Sequence, residues 1–185
     1  YEVFGEGMFI QFDTIAIKKW ESNSSSQIKS RLTDMQIRQE QTSASLPFPS
    51  AKFVALHTFA HLLIKQLCFE SGYAAASIRE RLYVNDGEMS GILIYTADAD
   101  SEGSLGGLVR MSDEKRLVHS ILSMIESAKW CSSDPTCIDI GSPGTRGLNK
   151  AACHACSLIA ETSCAYMNSL LDRGLLIGSE KENIK

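Results

Sequence analysis

Five of the six cysteines fall within 34 residues, from Cys131 to Cys164, and Cys68 stands apart. The spacing is Cys131-x5-Cys137, a 15-residue gap, then Cys153-x2-Cys156. Overall cysteine usage is too low for a disulfide scaffold. The opening residues Tyr1-Glu2-Val3-Phe4 have neither the basic nor the apolar region of a secretory leader. A cytoplasmic setting is therefore expected, in which thiols stay reduced and clustered thiols act as metal ligands.

Two cysteine pairs separated by a loop can wrap one tetrahedral ion, and Zn²⁺ accepts four thiolates at about 2.3 Å. The x2 pair sets both sulfurs toward one point, while Asp134-Pro135 supplies the turn that returns Cys137. The intervening loop, with Gly141, Pro143, Gly144 and Gly147, has too little apolar content to order itself by burial. Bound zinc would supply that order, because its binding energy becomes folding energy. Cys131, Cys137, Cys153 and Cys156 are the favoured ligands. Cys164 is a substitute for any of them, and His154 can replace a cysteine. Four protein ligands leave no open position for water, so the site reads as structural. The competing readings are buried inert thiols and a Cys153-x2-Cys156 redox pair, which lacks a clear βαβ setting.

Periodicity outlines the rest. Residues 1–20 mix β-branched and aromatic residues around Gly5 and Gly7, which predicts strands. Because Tyr1 is not a methionine, these strands are also read as the end of a larger domain. Residues 21–50 read as a polar linker carrying a surface helix near 28–41. Residues 51–70 form the clearest helix, apolar on nearly every side and hence buried. Strands follow near 78–84 and 91–96, an amphipathic helix over 113–129, a last helix over 162–176 and a solvated tail over 177–185. The fold class is α/β, with mixed α+β as the alternative: a small sheet packed by helices, with an inserted four-cysteine zinc module. No apolar run approaches the ~20 residues of a membrane span.

A second polar group lies on the buried helix. His57 and His61 are four residues apart, so both rings leave one face, and Lys65 continues the row. Asp98, Asp100 and Glu102 follow a central strand, where α/β sheets place ligand groups. Together these residues can hold a divalent ion and hydrolyse a phosphodiester. In the plainer reading the histidines bond to carboxylates or backbone, with Thr96, Ser101 and Ser104 as further partners. The HxxxH spacing lacks the glutamate of HExxH proteases. Gly103 to Gly107 can cradle a phosphate at a helix start, although it does not match a P-loop. Arg79, Arg81 and Arg110 can meet phosphate. With 18 Lys and Arg against 22 Asp and Glu, the net charge of −4 argues against a free-standing nucleic-acid binder.

Several ordered motifs carry a resemblance. They are Leu56-His57-Thr58-Phe59-Ala60-His61, Ile78-Arg79-Glu80-Arg81-Leu82-Tyr83, Gly91-Ile92-Leu93-Ile94-Tyr95-Thr96 and Ser101-Glu102-Gly103-Ser104-Leu105-Gly106-Gly107. Then come Trp130-Cys131 through Thr136-Cys137, Ala152-Cys153-His154-Ala155-Cys156, Glu161-Thr162-Ser163-Cys164 and Asn168 to Arg173. This set resembles the C-terminal zinc-binding domain of the DrmB family of DISARM anti-phage defence components. A related domain closes the MrfA-type DNA helicases. The resemblance implies a helicase-associated zinc domain over residues 51–176, with bound Zn, a helicase subunit or body as partner, and DNA engaged through that complex. It carries the zinc role to Cys131, Cys137, Cys153 and Cys156. The family pattern also has a cysteine at the place of Cys164, which leaves the fourth ligand open. Helicase motor motifs are absent from the sequence, so no motor activity is expected of it.

Overall fold

The structure, a computed structural model, describes residues 5–42, 45–85, 87–96, 106–140 and 147–178. Its centre is the apolar helix, α3 (Ala51–Ser71). Ser50 accepts the Phe53 N–H at 3.2 Å to start it, and Gly72 ends it in the left-handed conformation (φ 74°). Val54, Ala60, Leu63, Ile64 and Leu67 are all fully buried, as the all-round apolar pattern requires.

One side of α3 packs on a three-stranded antiparallel sheet of β1 (Gly7–Gln11), β2 (Ile78–Val84) and β3 (Ser90–Thr96), in the order β1-β3-β2. The register pairs Met8 with Ile94 and Ile94 with Glu80, then Ile10 with Ile92 and Ile92 with Leu82. Because strand side chains alternate, Ile78, Glu80 and Leu82 share the face turned to α3, whereas Arg79 and Arg81 take the other. Glu80 is thus a charged residue on a mostly apolar inward face. The mixed α/β expectation holds, with a small antiparallel sheet packed by helices.

Another side of α3 meets α5 (Glu114–Ala128), which buries Ser120, Met124 and Ala128. Two expectations are corrected at the N-terminal end. Residues 14–20 are helical rather than extended, as part of α1 (Thr14–Asn23). Asp13 caps this helix by accepting the Ile15 and Ala16 N–H groups, which overrides the β-branched content. The 21–50 linker contains a packed helix, α2 (Ser25–Glu40). Ile28, Leu32 and Met35 recur at helical spacing and bury against Phe53, Val54, Leu148, Leu170 and Leu175.

A third correction concerns the last helix. Residues 161–177 instead hold a 3₁₀ turn (Glu161–Ser163), a run with positive φ at Met167, Asn168 and Leu170, and the one-turn α6 (Gly174–Ile177). Asn168 competes with helix formation: its side chain donates to the Ile159 carbonyl at 2.9 Å and accepts the Ile159 N–H at 3.0 Å. Leu170 and Leu171 are buried as their apolar character requires, but in irregular backbone. No helix among the described residues is long and apolar enough to cross a membrane.

Candidate metal centre

The four favoured cysteines converge. Cys131 lies just past α5, Cys137 in a short π-helical turn (Thr136–Ile140), and Cys153 and Cys156 on a tight turn. The Sγ separations are 3.5 Å for Cys131–Cys153, 3.8 Å for Cys137–Cys156 and 3.7 Å for Cys153–Cys156. A tetrahedron with arms of about 2.3 Å has edges of about 3.8 Å, so these distances suit one zinc ion. All six cysteines are free thiols. The Ser133 N–H donates to Cys131 Sγ at 3.4 Å, and Cys156 Sγ accepts the Cys153 N–H at 3.3 Å and the Ser157 hydroxyl at 3.4 Å. Such donors stabilise thiolate charge.

The rest of the fold clamps these loops. Asp134 accepts the Cys131 N–H at 2.9 Å and is gripped by the Arg173 guanidinium at 2.7 and 3.0 Å. Arg173 also donates to the Ala128 carbonyl at 2.7 Å. From α3, Lys65 donates to the carbonyls of His154 and Ala155 at 3.2 and 3.3 Å, holding the Cys153–Cys156 turn.

Cys164 and His154 do not join this group. The His154 side chain is exposed and outside the cluster. Cys164 belongs to a second buried group with His57, His61 and Glu80, whose ligand-type atoms all lie within 4.8 Å of one another. His57 Nε2 is 2.9 Å from Glu80 Oε1 and 3.3 Å from Cys164 Sγ, and His61 Nε2 is 3.3 Å from Glu80 Oε1. Both histidines are fully buried.

A family model described as the MrfA Zn-binding domain matches residues 59–157. The chain belongs to the MrfA Zn-binding domain family. It is also 44% identical over 180 residues to the DISARM protein DrmB of Bacillus paralicheniformis, covering 95% of the chain and 32% of that relative's length. The chain thus spans about a third of the relative it matches. In this member of the MrfA Zn-binding domain family, the matched stretch contains all four clustered cysteines, His61 and Glu80, but neither His57 nor Cys164.

Electrostatics differ between the two groups. Burial and the neighbouring Cys156 push the Cys137 thiol up. Burial also raises Cys153, but the Cys156 N–H and the adjoining thiols outweigh it and hold Cys153 at about 6. In the second group burial works against charging His57, yet Glu80 and Cys164 raise it to about 10. Burial raises the Cys164 thiol, and the two histidines outweigh it to hold Cys164 at about 7.

Other anticipated partners fall elsewhere. Asp98, Asp100, Glu102, Ser101 and Ser104 lie outside the described residues. Among the described residues, the carboxylate that meets the histidines is Glu80. Its sequence signal is an acidic residue at an inward position of the alternating strand Ile78-Arg79-Glu80-Arg81-Leu82. Thr96 pairs with Glu6, its hydroxyl accepting the Glu6 N–H at 3.0 Å. The glycine-rich phosphate cradle is also corrected in its described part. At α4 (Gly107–Met111) the N–H groups of Gly106, Leu108 and Val109 donate to the Glu6 carboxylate at 2.8, 3.1 and 3.0 Å. Glu6 occupies the anion position that a phosphate would take. Arg79 and Arg81 are on the outer sheet face, with Arg81 5.8 Å from the Tyr83 ring centre, and Arg110 is exposed on α4.

Proposed function

We propose that this chain is a non-catalytic, zinc-stabilised domain that supports DNA engagement by a partner helicase in DISARM-like anti-phage defence in the cytoplasm. The observation that carries the reading is the convergence of Cys131, Cys137, Cys153 and Cys156 at tetrahedral edge lengths. Membership of the MrfA Zn-binding domain family and similarity to a DISARM protein supply the setting. In this reading the four thiolates hold Zn²⁺, whose binding energy helps to order the loops that carry them. All four positions are filled by protein, which favours a structural ion over hydrolysis. The net charge of −4 fits a domain whose helicase partner makes most phosphate contacts.

The metal-dependent nuclease reading gains little support. Its histidines are fully buried, and the carboxylate beside them sits inside the core instead of lining an open cleft. A docking domain that never contacts DNA differs from the main proposal only at the DNA step.

The test is reconstitution with the DISARM helicase subunit. Association should be detected by co-purification, and the pair should bind DNA more tightly than the helicase alone, with a salt-dependent affinity. Failure to associate contradicts the helicase reading. Association without a change in DNA affinity favours the docking domain. DNA cleavage by the chain with Mg²⁺ or Mn²⁺, abolished in His57→Ala, favours the nuclease.

A further inference from the structure

We propose that His57, His61, Glu80 and Cys164 form a second, closed zinc site, distinct from the four-cysteine cluster. The four residues come from separate parts of the fold: two from α3, one from β2 and one from the turn after the 3₁₀ segment. They nevertheless bring two imidazole nitrogens, a carboxylate oxygen and a sulfur within 4.8 Å of one another. Paired hydrogen bonds require only two atoms to meet; one ion requires four to share a centre.

The hydrogen bonds around the group point the same way. His61 Nδ1 lies 2.9 Å from the Ser157 carbonyl, which can only accept, so this nitrogen carries the proton. In the neutral ring that leaves the Nε2 lone pair facing Glu80 Oε1, another acceptor, at 3.3 Å. Either a proton on Nε2 or a metal ion between the two meets both atoms; a single metal ion also serves His57 Nε2 and Cys164 Sγ. A carbonyl that fixes the tautomer of a ligating histidine is a recurrent feature of metal sites. Glu80 Oε2 has no hydrogen-bond partner among the described residues, so the charge of this buried carboxylate has to be met on its Oε1 side.

Cys164 is prepared as a thiolate by its own turn. The N–H groups of Tyr166 and Asn168 both donate to its Sγ at 3.3 Å, and the positive φ angles at Met167 and Asn168 bend the backbone to allow this. The same N–H to sulfur pattern surrounds Cys131 and Cys156. One thiolate and one carboxylate balance a divalent charge, so the assembly is neutral, as a fully buried site requires. The mixed nitrogen, oxygen and sulfur set suits Zn²⁺ in four-coordinate form. The rings of Phe53 and Tyr166, with centroids 5.6 and 5.3 Å from that of His57, close the site with apolar surface. With no position left for water, the ion would clasp the 161–168 turn to α3 and β2. Ser157 joins the two sites: its carbonyl holds His61 and its hydroxyl donates to Cys156 Sγ.

Elemental analysis of the purified chain should give two zinc per chain, falling to one in Cys164→Ala. X-ray absorption on the unaltered chain covers the case in which that variant does not fold. It should give an average of about 2.5 sulfur and 1.5 nitrogen or oxygen neighbours per zinc, with arms of about 2.3 and 2.0 Å. One zinc per chain with only sulfur neighbours overturns the proposal while leaving the four-cysteine reading intact. One zinc with a single sulfur neighbour does the reverse. No zinc overturns both.

Discussion

Arg173 grips Asp134 with one guanidinium nitrogen on both carboxylate oxygens, at 2.7 and 3.0 Å, and Asp134 in turn accepts the Cys131 N–H. The Arg173 side chain is wholly buried, and that of Asp134 is 20% exposed. The first cysteine loop is thus fastened to the core by a charge that cannot be satisfied elsewhere. Arg173→Met should lower stability by about 3 kcal/mol, because it strands Asp134 and the Ala128 carbonyl. Arg173→Lys should recover only part of this, since an ammonium lacks the planar fork. Urea denaturation measures the loss. Zinc transfer to a chelator should also be faster in Arg173→Met; an unchanged rate would separate the clamp from the metal loop.

A glycine supports a different buried ion pair. Arg31 donates to both Asp172 oxygens, at 2.6 and 2.7 Å, and a Cβ placed on Gly174 would run into the Arg31 guanidinium. Arg31 is only 2% exposed and is held on both Asp172 oxygens. Gly174→Ala should therefore cost about 1–3 kcal/mol, as overpacking does elsewhere. A melting temperature equal to that of the unaltered chain would show that the guanidinium can shift.

Glu6 gives the fold an acid-sensitive contact. Burial pushes its carboxyl pKa up, but hydrogen bonds from the Tyr73 hydroxyl and the N–H groups of Val109, Leu108 and Gly106 outweigh burial and hold it below the ordinary 4.5. A depressed carboxyl pKa stabilises the fold fully above the unfolded value and loses that contribution as pH falls through the folded one. Glu6→Gln should therefore be less stable than the unaltered chain at pH 7, by about 1–3 kcal/mol. The gap should narrow as pH drops below about 4.5. Denaturation midpoints of both proteins across that range check the sign.

Much of this architecture was legible in the residues. The apolar run of α3, the alternation of β2 and the x2 cysteine pair each report a local constraint, and each is found where its pattern predicts. What local pattern missed was decided by capping and by distant partners. Asp13 turned a β-rich stretch into a helix, and Asn168 broke an apolar segment that otherwise suited one. Cys164 lies nearest the other cysteines in sequence, yet its partner His57 is 107 residues away. Glu80 carried a usable signal, a charge on an inward strand position, but only the fold of β2 against α3 gives it two histidines.

The central claim is that zinc on Cys131, Cys137, Cys153 and Cys156 holds this domain in its native form. Amide hydrogen exchange over residues 129–140 and 147–157, before and after complete zinc removal, tests it most directly. Protection in both segments should be lost on stripping and return when Zn²⁺ is restored, and Cys153→Ala should mimic the stripped state. Unchanged protection in fully zinc-free protein would contradict it.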